Sequence, residues 1–541
     1  MKVALAQINL PVGDFSGNCA KILDYYTRAN ADLLLTPELS VSGYSPEDLI
    51  LNKSFVDAAQ KATQELAGKI TRGGAIVGSP WRDGDQVFNA MVLIADGKVQ
   101  EVQYKYELPN FGVFDEPRIY AGGPLPKPIM FQGVPLGMLI CRDLWYDRTC
   151  SVLTKAGAKI LLAPNASPYD IEKDVSRKGQ ARERVSESGI PMVYLNMVGG
   201  QDDVIYDGAS FIIAKDGKII GQAPKFVEHL GHFDFDPKTG AITTDLPAAN
   251  IDTDDEAELY QAMCLATRDY VHKNGFKKAV LGLSGGIDSA LVAAIAADAI
   301  GPENVRTLFL PSPHSSLESF QDAGNIADFL GIDMHRVEIT NPMQSVQQSL
   351  EGIINPSGLT LENIQPRLRG VILMAMSNHT DALLLTTGNK SEIATGYATL
   401  YGDMCGAFNP IKDLYKTQIY AVAKWRNSAD AEKYGYAKWP VMPERVLTKA
   451  PTAELRPGQK DQDTLPPYDL LDKILYKLIE QNQGIAEIVA HGYDSATVLQ
   501  IAQMLDKSEY KRRQAAPGPK LSIKAFGKDR RMPITQSWKR A

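Results

Sequence analysis

Apolar and polar positions follow two rhythms along this chain, and the change between them divides it. In the first half, short apolar runs alternate with stretches of helical period. Val3–Ile8, Leu33–Leu35, Ala75–Gly78, Met91–Ala95, Leu136–Ile140, Ile160–Ala163, Met192–Leu195 and Ser210–Ile213 have the length and residue content of strands. Asn18–Ala29 and Phe55–Lys69 repeat apolar residues at helical spacing and predict helices between them. Ala95-Asp96-Gly97-Lys98 and Ala214-Lys215-Asp216-Gly217-Lys218 carry the turn chemistry of hairpins. Strand–helix alternation mixed with hairpins predicts a mixed sheet or a sandwich.

The rhythm breaks near residue 236. Asp236-Pro237-Lys238-Thr239-Gly240 is turn chemistry, and 247–258 is polar, acidic and without period. We therefore expect a first domain over 1–245, a linker over 246–258 running into a helix near Glu256–Lys273, and a second domain over 259–541. There the order is regular: Ala279–Leu283, helix, Val305–Leu310, helix, Met334–Ile339, helix, Ala382–Thr386. Such βαβ spacing predicts a doubly wound parallel sheet, giving an α/β protein in both halves. The tail after Tyr510 is basic and rich in Pro and Gly, and no fixed-period repeat occurs.

Composition narrows the class. A length of 541 residues allows two to four domains, and 44% hydrophobic with 22% charged residues is ordinary for globular chains. The net charge of -7 argues against a general nucleic-acid binder. No apolar run approaches the ~18–20 residues of a membrane span, and the opening MKVALAQINLPVGD reads as a strand and not as a signal peptide. Five cysteines without a CxxC argue against a disulfide framework and a structural zinc site. The expectation is a soluble, cytoplasmic protein of small-molecule partners, with no nucleic acid and no membrane.

Candidate chemistry concentrates at strand ends. The apolar run through Gly282 and Leu283 passes into Ser284-Gly285-Gly286-Ile287-Asp288-Ser289 and then a helix from Ala290. Strand, glycine pair and helix N-terminus suit phosphate, since glycines let backbone N–H groups approach the anion. Asp288 faces a polyphosphate only through a cation, which suggests Mg2+. GxxxxGK[ST] and GxGxxG are both absent, so neither of those loops applies. In the first half, Glu38, Lys105 and Cys141 stand just past expected strands. A thiolate nucleophile, a carboxylate base and a fixed positive charge suffice for amide cleavage, with Lys105 and the Arg142 N–H placed for an oxyanion. Singly each is weak: a lone apolar-flanked Cys is usually a small core residue, and a Glu after Pro is usually a cap. His229 and His232 lack a third ligand nearby in sequence and are expected to be loop histidines.

These strings carry two resemblances. The Glu38, Lys105, Cys141 order resembles the nitrilase/amidase superfamily, which implies an α-β-β-α sandwich and a Glu-Lys-Cys triad. It further implies Glu116 as an accessory glutamate and, in the glutaminase branch, Tyr44, Phe111, Ser167 and Lys173 around the glutamine. Arg142 departs from the acid that commonly follows that Cys. The SGGIDS string resembles the ATP-pyrophosphatase loop. TGNKSE at 387–392 (Thr387-Gly388-Asn389-Lys390-Ser391-Glu392) and KAPTAEL at 449–455 narrow it to the NAD synthetase pattern. That likeness implies ATP contacts from Gly282 through Ser289, Thr387, Lys416 and Thr452. It places Asn363 and Lys511 at deamido-NAD, and Glu392 either with Asp288 at magnesium or against the nicotinate end. Ammonia-using members often have a Lys near position 400, where Leu400 stands here. The bland alternatives are a helix-capping Glu392 and a solvated basic run at Lys511–Arg513.

The pairing of halves is similar to that of the glutamine-dependent NAD synthetase family. It implies ATP-dependent amidation of deamido-NAD to NAD with ammonia from L-glutamine, Mg2+ as cofactor, and a homo-oligomer built on a synthetase-domain dimer. Two rivals stand beside it: a glutamine-fed ligase acting on another carboxylate, and an amidase carrying a nucleotide-sensing module.

Overall fold

A computed structural model of the chain describes residues 1–248, 254–436 and 438–538. It divides into two compact units, Met1–Thr253 and Asp254–Ala541. The expected linker falls in part on 249–253, outside the described residues. The helix that follows runs Asp255–Lys273, with Asp254 accepting from the Ala257 N–H at 3.0 Å as its cap.

The first unit is a sandwich of two sheets. One has seven strands in the order Ile242–Thr244, His229–Phe235, Lys2–Gln7, Leu33–Leu35, Gly74–Asp83, Gln86–Ala95, Lys98–Tyr104. The other has six, in the order Ile219–Gln222, Phe211–Ile213, Met192–Asn196, Ile160–Asn165, Val134–Met138, Ile129–Phe131. Strand alternation builds the layers. Val3, Leu5, Leu33 and Leu35 face Leu136, Met138, Leu162 and Val193 in the inter-sheet core. Ala4, Ala6 and Leu34 turn the other way, toward Ile22 and Leu66 of the helices Phe15–Ala29 and Lys53–Ala67. Leu161, Ala163 and Tyr194 pack on Leu153, Ala181 and Val185 of the helices Asp147–Lys155 and Lys173–Ser188. The result is the expected α-β-β-α order.

Strand direction gathers the chemistry at one end. Lys2–Gln7, Leu33–Leu35 and Gly74–Asp83 are parallel, and two antiparallel steps bring Lys98–Tyr104 back to the same direction. Val134–Met138, Ile160–Asn165 and Met192–Asn196 are likewise parallel. Glu38, Lys105, Cys141 and Ala166 therefore all follow the C-terminal ends of their strands. His229 and His232 lie in an edge-region strand and not in a loop. His232 is bound by Asp245 at 2.8 Å and by the Ala29 carbonyl at 3.0 Å, which accounts for it without a metal.

The second unit holds a four-stranded parallel sheet in the order Asp333–Arg336, Val305–Phe309, Lys278–Gly282, Ala382–Leu384. The strand order reverses beside the central Lys278–Gly282, which is where open α/β sheets form a ligand crevice. The helix Ile287–Ile300 after that strand is apolar on all sides and almost wholly buried. Three later helices, Tyr468–Ile479, Ile485–Ala490 and Ser495–Lys507, form a separate apolar cluster around Leu475, Ile488 and Ile501. Among the described residues no helix is long and apolar enough to cross a membrane.

One glycine couples sheet to site. A Cβ on Gly78 would strike the backbone of Pro37, Glu38 and Leu39. Gly78 also accepts from the Val41 N–H at 2.8 Å and donates to Ser40 Oγ at 3.0 Å. Only backbone displacement relieves such a clash, so Gly78→Ala is expected to cost about 1–3 kcal/mol. A lower urea midpoint with unchanged m-value checks this; an unchanged midpoint refutes the packing argument.

Candidate active sites

In the first unit a buried ammonium joins two carboxylates. Lys105 Nζ donates to Glu38 Oε1 at 2.7 Å and to Glu116 Oε1 at 2.8 Å, and all three side chains are nearly solvent-free. Glu38 also accepts from Asn89 Nδ2 at 2.7 Å and from the Ala166 N–H at 3.1 Å. Tyr44 donates its hydroxyl to Glu116 Oε1 at 3.0 Å. Glu116 Oε2 is buried without a hydrogen-bond partner. Burial opposes the charge on Lys105, yet Glu116 and Glu38 outweigh it and hold the ammonium above its ordinary range. Burial pushes the Glu116 carboxyl up, with Lys105 opposing.

Cys141 stands beside this cluster, 5% exposed, at the start of the short 3-10 turn Cys141–Trp145. Its φ is +47°, a left-handed conformation uncommon outside glycine and frequent at functional turns. Asp143 pins that turn: it accepts from the Ile140 N–H at 3.1 Å and from the Glu107 N–H at 2.8 Å, tying the cysteine turn to the chain after Lys105. Burial pushes the Cys141 thiol well up, and neighbouring Glu38 adds to this while Lys105 opposes it. The sulfur thus lies buried with the Glu38 carboxyl group at hand. Such an arrangement can transfer the thiol proton to Glu38 as sulfur attacks a carbonyl.

The remaining expected residues form the surroundings. Phe111 is exposed and packs edge-on against Phe114 with centroids 5.5 Å apart. Phe114 lines a small cavity with Tyr44, Glu116 and Tyr206. Ser167 is buried, its N–H donating to Asn196 Oδ1 at 2.9 Å. Lys173 begins a helix and places Nζ 4.8 Å from the Trp145 ring centroid.

The second unit encloses a cavity of about 310 Å³ at the end of the central strand. Gly282 through Ser289 line one wall. Gly285 has φ +80°, and a Cβ there would strike the Ser319 carbonyl, so the turn requires glycine. Ser284 Oγ and Ser289 Oγ lie 3.0 Å apart and brace the loop. The helix that follows has no side-chain cap at Gly286, leaving its first N–H groups free for an anion. Thr387, Glu392, Lys416 and Thr452 line the same cavity.

Lys416 Nζ binds Asp288 Oδ2 at 2.5 Å and Glu392 Oε1 at 3.4 Å. Asp288 also accepts from Asn389 Nδ2 at 2.9 Å. Burial pushes the Glu392 carboxyl up to about 8, with Lys416 opposing and Asp288 adding to the rise. Glu392 also accepts from the Asn389 N–H at 3.3 Å, so the capping role holds alongside its place in the cavity wall. Two carboxylates sharing one lysine suit a further cation. Among the described residues no group of three or more His, Cys, Asp or Glu holds a metal alone. A hard divalent ion here would complete its shell with phosphate oxygens and water, which fits magnesium.

Asn363 and Lys511 do not line this cavity. Asn363 Oδ1 accepts from Thr399 Oγ1 at 2.9 Å, and Lys511 Nζ donates to the Gly396 and Ala398 carbonyls at 2.7 Å. Both brace the segment 396–399, of which Tyr397 and Ala398 line the cavity. Sequence reasoning missed Asn89, Asp143, Asn389 and Arg369. Arg369 lines the cavity, and burial pushes its guanidinium down to about 10. Asn89 was findable as the lone amide in the apolar run FNAMVLIA.

Comparison with known proteins matches a family to each unit. The chain matches the Carbon-nitrogen hydrolase family over residues 2–242 and the NAD synthase family over residues 259–515. It is 43% identical to a glutamine-dependent NAD(+) synthetase of Rhodobacter capsulatus, covering 99% of both chains. It is 40% identical to the enzyme of that name from Thermotoga maritima, covering 100% of this chain and 99% of the other. Among solved structures, the glutamine-dependent NAD+ synthetase from Acinetobacter baumannii, in complex with adenosine diphosphate, is 39% identical, with a TM-score of 0.77 over 98% of each chain. With both family matches in order and relatives aligned end to end, this chain belongs to the glutamine-dependent NAD(+) synthetase family.

Proposed function

We propose that the chain converts deamido-NAD, ATP, L-glutamine and water into NAD, AMP, pyrophosphate and glutamate, acting in the cytoplasm with magnesium. The observation that carries this reading is the pairing of a buried Lys105-bridged glutamate pair beside Cys141 with a phosphate-type loop whose Asp288 shares Lys416 with Glu392. Work divides along 1–245 and 259–541, joined through 246–258.

In the first site, Cys141 Sγ attacks the glutamine side-chain amide while Glu38 takes the thiol proton. The oxyanion forms against the Lys105 ammonium and the Arg142 N–H. Glu38 then protonates the leaving ammonia, and water, deprotonated by Glu38, cleaves the thioester to glutamate. Glu116 keeps Lys105 charged and aligned. Tyr44, Phe111, Ser167 and Lys173 surround the donor.

In the second site, the nicotinate carboxylate of deamido-NAD attacks the α-phosphorus of ATP, and ammonia displaces AMP from the acyl-adenylate. Residues Gly282–Ser289, Thr387, Lys416 and Thr452 hold ATP. Glu392 faces deamido-NAD, and Asn363 and Lys511 act on it through the 396–399 segment that both brace. Asp288 and Glu392 would hold magnesium, which supplies charge neutralisation for the departing pyrophosphate. Assembly as a homo-oligomer on the synthetase unit is supported by the helix Leu359–Thr380. Its apolar Leu359 and Val371 are exposed, and few of its residues are buried.

Cys141→Ala removes the nucleophile of one site only. It is expected to make no NAD from glutamine yet retain NAD and AMP formation from high ammonium salt. Retained glutamine use would make Cys141 a core cysteine. Asp288→Asn is expected to abolish AMP formation at every magnesium concentration while leaving glutamine hydrolysis; a wild-type AMP rate contradicts the metal role.

Lys105→Met is expected to lower glutaminase kcat by about 10²–10³-fold with little change in KM, as for loss of an oxyanion donor. It also strips two buried carboxylates of their cation. Without that cation, burial raises the Glu116 carboxyl further above its unfolded value, so the folded state binds more protons. Stability of the variant must therefore fall as pH rises. The gap to wild type in urea unfolding is expected to be wider at pH 8 than at pH 5; an equal gap contradicts the shared-cation account.

A further inference from the structure

The buried base of the cysteine site is bound unequally at its two oxygens. Glu38 Oε1 accepts from Lys105 Nζ at 2.7 Å and from Asn89 Nδ2 at 2.7 Å. Among the described residues, Glu38 Oε2 accepts one N–H, from Ala166, at a longer 3.1 Å. A carboxylate oxygen offers two lone-pair sites. Both sites on Oε1 are filled by short bonds, one of them from a cation, while Oε2 keeps a site open. A proton arriving at Glu38 therefore has a place on Oε2 and none on Oε1.

Asn89 is the residue that completes this inequality. It stands in the strand Gln86–Ala95, among Phe88, Ala90, Met91 and Val92, and is wholly buried. Its Oδ1 is buried without a hydrogen-bond partner. An apolar residue at this point of the strand would remove that cost, so the amide is explained by what its nitrogen does. The backbone carbonyl of Asn89 also accepts the Lys105 N–H at 2.8 Å. One residue thus fixes the chain at the lysine and one oxygen of the base.

We infer that Asn89 is a positioning residue for the general base: by filling the second site of Glu38 Oε1 it holds the carboxylate in one orientation and directs the Cys141 proton to Oε2. As the sulfur bonds to the amide carbon, the S–H bond breaks, an O–H bond forms at Oε2, and the carbonyl pair moves onto its oxygen. The inference rests on the glutaminase reading of Cys141 and deepens it by assigning the atom that takes the proton and the residue that selects it.

The test is the pH dependence of kcat/KM for ammonia release from L-glutamine, with deamido-NAD and Mg-ATP present, in full-length wild type, Asn89→Leu and Asn89→Val. Leu keeps the volume, Val suits a strand, and neither donates. The charged or titratable groups around Glu38 are Lys105, Glu116, Cys141 and the hydroxyls of Tyr44, Tyr120 and Tyr206, and both variants retain them all. A carboxylate that loses a donor is protonated more readily, so the acid limb of the profile is expected to move up by about 1 pH unit. At the wild-type optimum kcat is expected to fall about 10–100-fold, the size of one hydrogen bond to a charged group, with KM for glutamine changed less than about twofold. A purely structural role lowers the fraction of active enzyme, which scales the whole profile and leaves the limb in place. An acid limb at the wild-type position in either variant overturns the inference, as does a raised glutamine KM with kcat retained. Failure of the underlying reading looks different: ammonia release from glutamine persisting in Cys141→Ala.

Discussion

A single ammonium group shared by two buried carboxylates organises the first unit. Lys105 lies 2.7 Å from Glu38 and 2.8 Å from Glu116, away from water. Removing the lysine leaves two carboxylates uncompensated where desolvation is costly, about 3–5 kcal/mol for a broken buried pair. The three residues come from separate segments, so the sheets, the turn at 36–40 and the loop at 105–116 must be held in register for the cluster to exist. Gln103 Nε2, donating to the Met138 carbonyl at 2.9 Å, ties the lysine strand of one sheet to the cysteine strand of the other. Asp143 makes a second tie one turn further on. Packing and chemistry are the same constraint here: the contacts that keep the charges paired also set the thiol beside its base.

The second unit meets a related electrostatic problem with a different outcome. Lys416 again lies between two carboxylates, Asp288 and Glu392. This time the cluster opens onto a large cavity, and one pair distance is a loose 3.4 Å. A closed charge cluster fixes one geometry. An open one whose carboxylates outnumber its lysine leaves room for a cation that arrives with phosphate. The deeper ion network of this unit, Lys390 with Asp413 at 2.8 Å and Glu480 at 2.5 Å, carries no such opening. It anchors Ser522 and the Lys524 carbonyl of the C-terminal segment.

Much of this was legible in the chain because core strands are short, apolar and end sharply. Leu33–Leu35 and Val305–Phe309 could be bounded by composition, and the residues just beyond such strands are the ones that reach a site. What stayed hidden had a physical reason. The strand Lys98–Tyr104, which delivers Lys105, is an edge strand reading KVQEVQY, half polar because one side meets solvent. The helix Lys173–Ser188 is polar almost throughout and buries only Arg177, Ala181, Arg184 and Val185, so no apolar period marks it. Asn363 and Lys511 matched motifs by spacing; the structure turns Asn363 toward the Thr399 hydroxyl and Lys511 toward the Gly396 and Ala398 carbonyls, which spacing cannot foretell. At Cys141 burial and Glu38 outweigh Lys105 and push the thiol up, a balance that residue order alone does not reveal.

The central claim is that the Lys105-bridged pair makes Cys141, among five cysteines, the nucleophile toward glutamine. The direct measurement is the rate and position of covalent labelling by a diazoketone analogue of glutamine, followed by intact-protein and peptide mass spectrometry in wild type and Lys105→Gln. The account predicts one label per chain, on the peptide bearing Cys141, with a rate that collapses when Lys105 is replaced. Label on Cys150 or another cysteine, or Cys141 labelled as fast without Lys105, would contradict it.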